Sequence, residues 1–148
     1  MFGTTALTYN TESVKPKPDS WAACWDKNYA KKLSMNELAW YRVFTTALYL
    51  GEDPNNVKDW NRLWNAVRDQ HKLVLKYWSS GMEMQQLFTN REIYLGEFWS
   101  GRTLNLKDKG VPVGEAVGAQ FLALKEAEWA AWSQQVTAWE LAQYADAP

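Results

Sequence analysis

Short β-like runs alternate with segments of helical period along this 148-residue chain, and that alternation is its tightest constraint. Residues 3–10, GTTALTYN, are rich in Thr and Tyr and read as a strand. TESVKPKPDS carries two prolines among polar residues and reads as a loop. Asp19 and Ser20 then supply N-cap chemistry for a short helix, SWAACWDKNY, with Trp21 and Trp25 on one face. KKLSM (31–35) is expected to form a short buried strand. From Asn36 to Leu50, Leu38, Tyr41, Phe44, Ala47 and Leu48 recur at helical spacing, and Gly51 is the expected stop. A turn at EDPNN leads into a second long helix, where Val57, Trp60, Trp64, Val67 and His71 make a one-sided stripe.

LVLKYW (73–78) switches back to a strand pattern, and Ser79-Ser80-Gly81 is the turn after it. A shorter helix, MEMQQLFTN, precedes a strand, EIYLGEFW (92–99), which Ser100-Gly101 breaks. RTLNLKDKG reads as a short helix or turn ending at Gly110, VPVGEAV as strand-like, and AQFLALK (119–125) as a candidate further strand. Trp129, Trp132, Val136 and Trp139 give a last helix from Glu126 to Tyr144. Such alternation predicts the α/β class: a single three-layer domain with a mixed or parallel sheet flanked by helices.

Composition excludes several alternatives. Hydrophobic residues at 47% and charged residues at 22% are those of a globular chain and not of a disordered one. One domain of this length buries about two-thirds of its unfolded surface. A net charge of −1 gives no pull toward nucleic acid. No apolar run reaches the roughly 20 residues that span a bilayer, so no membrane insertion is expected. The first residues lack the basic and apolar regions of a signal peptide. Cys24 is the single cysteine, which excludes an internal disulfide and a Cys-based zinc cluster. His71, the single histidine, leaves no His-rich metal site and few triads.

No nucleophile elbow, P-loop, dinucleotide fingerprint or H-E-x-x-H motif is present, so no enzyme, metal or cofactor is nominated. His71 reads as a packed or partly exposed residue, Cys24 as a small buried hydrophobe, and Glu126/Glu128 and Asp108/Lys109 as solvated surface. The ten tryptophans raise a different option, because aromatic faces with nearby carboxylates attract amines. Three segments place such groups at strand ends or helix starts, where α/β folds bind ligands. They are Asn36-Glu37 with Trp40 and Tyr41, Trp78-Ser79-Ser80, and Glu97-Phe98-Trp99-Ser100-Gly101. The competing reading is that these aromatics are core. It is preferred, with an interface, for the helical Trp60, Trp64, Trp129, Trp132 and Trp139, whereas Trp40 and Trp99 stay open between the two.

The same segments carry a family likeness. GTTALTYN is similar to the strand that crosses the hinge into the second lobe of spermidine/putrescine-type extracellular solute-binding proteins. PDSWAACWD with KKLSM resembles that family's P-x-S-W-x-x-L-W-D … K-x-x-L/M pattern, and an NELAWYRVFTTALYLG helix and a D-P-N-N turn follow in order. LVLKYWSSGMEMQQLFTNREIYLGEFWSG is similar to its strand, ligand loop, helix and W-S/N-G strand, and GVPVG to its next strand. The likeness runs from Gly3 to about Lys125 and implies one lobe of a type II periplasmic-binding-protein fold. Residues 126–148 would form a Trp-rich helix that closes the lobe.

The resemblance also implies a function: binding a small amine-like solute for an ABC importer. By position, Glu37 matches an acidic ligand-binding place, Ser80 falls in the ligand loop, and Trp99 with Ser100 matches the W-x-G turn. Trp40 and Tyr41 join them on the helix, although Tyr41 stands near a second acidic position and departs from a polyamine pattern. The expected partners are the solute and a missing first lobe, a permease or a second copy. A fragment of an exported protein would be periplasmic, a stand-alone gene product cytoplasmic. The alternative function is a non-catalytic interaction protein that oligomerises through the aromatic C-terminal helix. An enzyme with a hidden acid/base pair is the third and least supported.

Overall fold

The computed structural model describes residues 5–119, with the backbone alone for 117–119. The expected strand at 119–125 and the Trp-rich helix at 126–144 lie outside the described residues, apart from Ala119. Among the described residues five strands and four α-helices follow one another: β1 (Thr5–Asn10), β2 (Leu33–Asn36), α1 (Ala39–Leu50), α2 (Trp60–His71), β3 (Val74–Trp78), α3 (Gly81–Thr89), β4 (Leu95–Trp99), α4 (Ser100–Asp108) and β5 (Val113–Ala119). The sheet order is β3-β2-β4-β1-β5. β2 is parallel to β3 and β4, whereas β1 runs antiparallel to β4 and β5. The expected mixed sheet is therefore present.

Alternation on the strands feeds two separate cores. Leu7, Leu33, Met35 and Leu95 face Trp21, Cys24 and Phe44 on one side of the sheet. Trp78, Phe98 and Val113 face Met84, Leu87, Phe88 and Leu106 of α3 and α4 on the other. A third cluster, Val43, Ala47, Leu63, Trp64 and Val67, joins α1 to α2. These contacts make the three layers, and they bury β1 along its whole length. Gly96 lets β2 and β4 approach closely, because a Cβ there would collide with the Ser34 carbonyl.

Several elements differ from the sequence reading for local reasons. The helix expected at 20–29 is two 3-10 turns, Trp21–Trp25 and Lys27–Tyr29. Ser20 caps the first as expected, but Asp26 takes an extended conformation and caps the second through its own side chain. The helix expected from Asn36 starts at Ala39, because the chain stays paired with β3 as far as the Glu37 N–H, which donates to the Trp78 carbonyl. Gly51 ends that helix in the left-handed region, φ 75°. β4 starts at Leu95, after Arg91 turns the chain at φ 59°. The inner stripe of α2 is Leu63, Trp64, Val67 and Gln70, so His71 is exposed and hydrogen-bonds the Tyr77 hydroxyl at 2.8 Å instead of packing inward. Among the described residues no helix is long and apolar enough to cross a membrane.

Candidate functional site at the carboxyl edge of the sheet

β2, β3 and β4 end on one edge, and each is followed there by a turn into a helix or by the helix itself. The chain runs from β2 outward to β3 and then returns past β2 to β4, so the strand order reverses between β2 and β4. Crevices at such reversals are where open α/β sheets bind ligands. The β2–β4 ladder stops at Ser34 and Gly96. Beyond it a side chain bridges the two strands: Glu97 Oε1 accepts the Asn36 N–H at 2.9 Å.

Tyr41 and Trp99 meet directly at this crevice. The Trp99 indole donates to the Tyr41 hydroxyl at 3.0 Å, joining the end of β4 to the first turn of α1. Trp40 packs on the Tyr41 ring with centroids 4.0 Å apart, and Trp99 meets Trp78 edge-on at 5.1 Å. Trp40 and Trp99 are both half-buried. Each therefore serves as packing and still shows ring surface at the edge. Glu37 lies on the β2–α1 turn with an exposed side chain. Ser100 opens α4 and borders a groove of about 460 Å³ shared with Thr103, Leu104, Gly114 and Glu115.

Ser80 has a structural task. Its hydroxyl caps α3 by accepting the Glu83 N–H at 3.2 Å, while Glu83 accepts from the Ser79 N–H at 2.8 Å and pairs with Lys76. The Lys76 ammonium and then the Ser79 N–H hold the Glu83 carboxyl down at about 2. The Ser80 turn still adjoins the site, since Gly81 stands against the Trp99 ring and Arg102. Trp78 does not join an open aromatic box. It is fully buried, and its indole donates to the Glu97 carbonyl at 3.2 Å.

Sequence reasoning places Glu97 in a candidate strand-end segment but does not foresee that it is the buried polar group below the site, nor that Arg42 joins it. Glu97 has no exposed surface, and its Oε2 has no hydrogen-bond partner among the described residues. Burial pushes its carboxyl up to about 7, against the Asn36 N–H, the Arg42 guanidinium and Thr45, which favour the charged form. Arg42 Nη1 donates to the Asn36 and Glu37 carbonyls at 3.2 and 3.0 Å, and its guanidinium lies 4.7 Å from the Tyr77 ring centre. A signal was present in the sequence: Arg42 stands four residues after Leu38 and one after Tyr41, on the apolar stripe itself, and Glu97 interrupts an apolar strand. Cys24 is buried and burial raises its thiol, in keeping with a packing role. Among the described residues no group of three or more His, Cys, Asp or Glu side chains could hold a metal.

No protein-family model matches the chain, and a search of curated proteins gives no match either. Solved structures do match. An ABC transporter substrate-binding protein of Bradyrhizobium japonicum is similar over 91% of this chain and 46% of its own, with a TM-score of 0.69 and 18% identity. The fold is that of one lobe of such a protein. The PBP AttC of Agrobacterium tumefaciens is similar over 78% of this chain and 37% of its own, at a TM-score of 0.67 and 23% identity. The spermidine/putrescine substrate-binding protein PotD of Streptococcus pneumoniae aligns with 91% of this chain and 45% of its own, at a TM-score of 0.65 and 17% identity. The chain thus spans less than half the length of these proteins.

Proposed function

We propose that this chain is a non-catalytic solute-binding lobe, of the kind that serves ABC importers, and that it takes a small amine at the carboxyl edge of its sheet. The observation that carries this reading is the Trp99–Tyr41 hydrogen bond where the sheet reverses its strand order, with the exposed Glu37 four residues before Tyr41 on the turn into α1. The ring faces of Trp40 and Trp99 pack on the apolar part of the solute and attract its cationic end, and Glu37 takes the ammonium group. Ser80 and Ser100 lie at the rim. PotD, among the similar structures, is a spermidine/putrescine protein, which supports an amine in particular. Tyr41 adds no second carboxylate, which favours a solute with fewer charges than a polyamine.

One lobe offers one wall, and a solute held on one side keeps much of its water. Tight binding therefore requires a second wall from a first lobe, a permease or a second copy. The same role implies a periplasmic setting. Calorimetry and tryptophan fluorescence against putrescine, spermidine, choline and neutral amino acids test the proposal. An amine response that Glu37→Gln and Trp99→Phe both weaken supports it. No response to any of these solutes, with concentration-dependent dimerisation in light scattering, would favour an interaction protein instead.

A further inference from the structure

We propose that Glu97 is the positioning residue of this binding edge: with Arg42 it fixes from below the β2–α1 turn that presents Glu37, Trp40 and Tyr41. The functional consequence rests on the solute-binding reading above. α1 begins without a capping side chain, since its N-cap position is Leu38. Other groups must then set where the helix starts, and they come from beneath. Glu97 Oε1 takes the Asn36 N–H, Arg42 Nη1 donates to the Asn36 and Glu37 carbonyls, and the Asn36 side chain takes the Leu38 N–H at 2.8 Å. The Glu37 N–H is held by the Trp78 carbonyl at 3.0 Å. Every one of these bonds lies within two residues of Glu37.

Glu97 can do this because it stands where the β2–β4 ladder ends, so its carboxylate replaces the missing backbone acceptor. It also lies two residues before Trp99 on the same strand, and Arg42 adjoins Tyr41. A change in its charge therefore reaches both partners of the Trp99–Tyr41 hydrogen bond. The groups that act on it from the surrounding elements are Arg42 and Thr45 of α1, Tyr77 of β3 and Cys24 of the first 3-10 turn. Tyr77 in turn bonds the exposed His71. A carboxyl poised near neutrality makes the turn sensitive to pH.

The test follows the Trp99 indole N–H by two-dimensional NMR on the whole chain, its peak assigned by loss in Trp99→Phe. In the free protein this peak should move between about pH 5 and about 9 with a midpoint near 7. The movement should vanish in Glu97→Gln and persist in His71→Asn. Arg42→Lys, which keeps the charge and loses the fork, should displace the midpoint. With spermidine as the probe, affinity should fall roughly tenfold in Glu97→Gln at pH 7.5. A Trp99 peak that is flat with pH in the wild type, or one that titrates unchanged in Glu97→Gln, overturns the proposal. Should Glu97→Gln not fold, the wild-type and Arg42→Lys titrations still decide. A titrating peak in a protein that binds neither spermidine nor any other amine sustains the positioning role and removes the solute-binding reading alone.

Discussion

The Trp99 indole nitrogen donates to the Tyr41 hydroxyl at 3.0 Å, across 58 residues of sequence and across the point where the sheet reverses its strand order. That bond is part-buried, so each partner has exchanged much of its water for the other. Trp99→Phe keeps a ring against Trp78 but removes the donor, and Tyr41→Phe removes the acceptor. Each single variant should lose about 1 kcal/mol of stability, and the double variant should lose less than the sum. Urea unfolding of the four proteins measures the coupling. Strict additivity would mean that the bond contributes nothing in solution.

Gly96 and Gly101 sit five residues apart and should respond oppositely to alanine. At Gly96 the added methyl meets the Ser34 carbonyl, which is backbone and cannot rotate away. Gly96→Ala should therefore separate β2 from β4 and cost about 3 kcal/mol or more. Gly101 lies in the first turn of α4 with nothing within 4 Å of a Cβ. Gly101→Ala should be neutral or stabilise by up to about 1 kcal/mol. Thermal and urea unfolding of the two variants checks the contrast.

Ser80→Ala distinguishes a cap from a ligand contact. The hydroxyl satisfies the Glu83 N–H in the first turn of α3, so its loss should cost about 1 kcal/mol. The amine response should be retained, because Glu37, Trp40 and Trp99 are untouched. A stable protein with no amine response would place Ser80 in the site instead.

What could be read from the sequence follows from how local each cause is. Gly51 as a helix stop, Ser20 as a cap and the alternation of strands with helices depend on near neighbours, and all are present. The helix start at Ala39 is not legible locally, because it depends on Glu97 and Trp78, which are remote in sequence. The spacing that reaches His71 starts at Val57, which precedes the helix, whereas the buried face of the helix itself ends on Gln70. For the candidate site, the strand ends put Trp99 and Tyr41 among the same group of residues but do not show the bond between them. Trp78 is fully buried in the cluster with α3 and α4, whereas Trp99 packs against the same cluster and stays partly exposed, and that difference is a tertiary fact. The enclosure of Glu97, and Arg42 altogether, escape the sequence because charged residues default to the surface, whereas these two are buried.

Glu83 predicts an acid limb in the stability profile. Its carboxyl is held at about 2, below its ordinary value near 4.5, by Lys76 and the Ser79 N–H. A group depressed in the folded state stabilises fully above its unfolded value and loses that contribution as pH falls toward the folded one. Wild-type stability should therefore decline between about pH 4.5 and 2, and Glu83→Gln should flatten that decline. Urea midpoints across the window measure it.

Glu97 predicts the opposite limb. Burial raises its carboxyl from near 4.5 to about 7, so between those values the folded protein binds a proton that the unfolded chain has released. Stability then falls as pH rises through the window, because the proton must be removed from the enclosed group while Arg42 and the Asn36 N–H recover only part of the cost. The full shift corresponds to an effect on the order of 3 kcal/mol. Glu97→Gln carries no titrating proton and keeps an oxygen for the Asn36 N–H, so its profile should be level from about pH 5 to 8 where the wild type declines. Urea unfolding at several pH values compares the two. A wild-type profile that rises toward pH 7 would mean that Glu97 is charged throughout, with Arg42 as its full counter-charge.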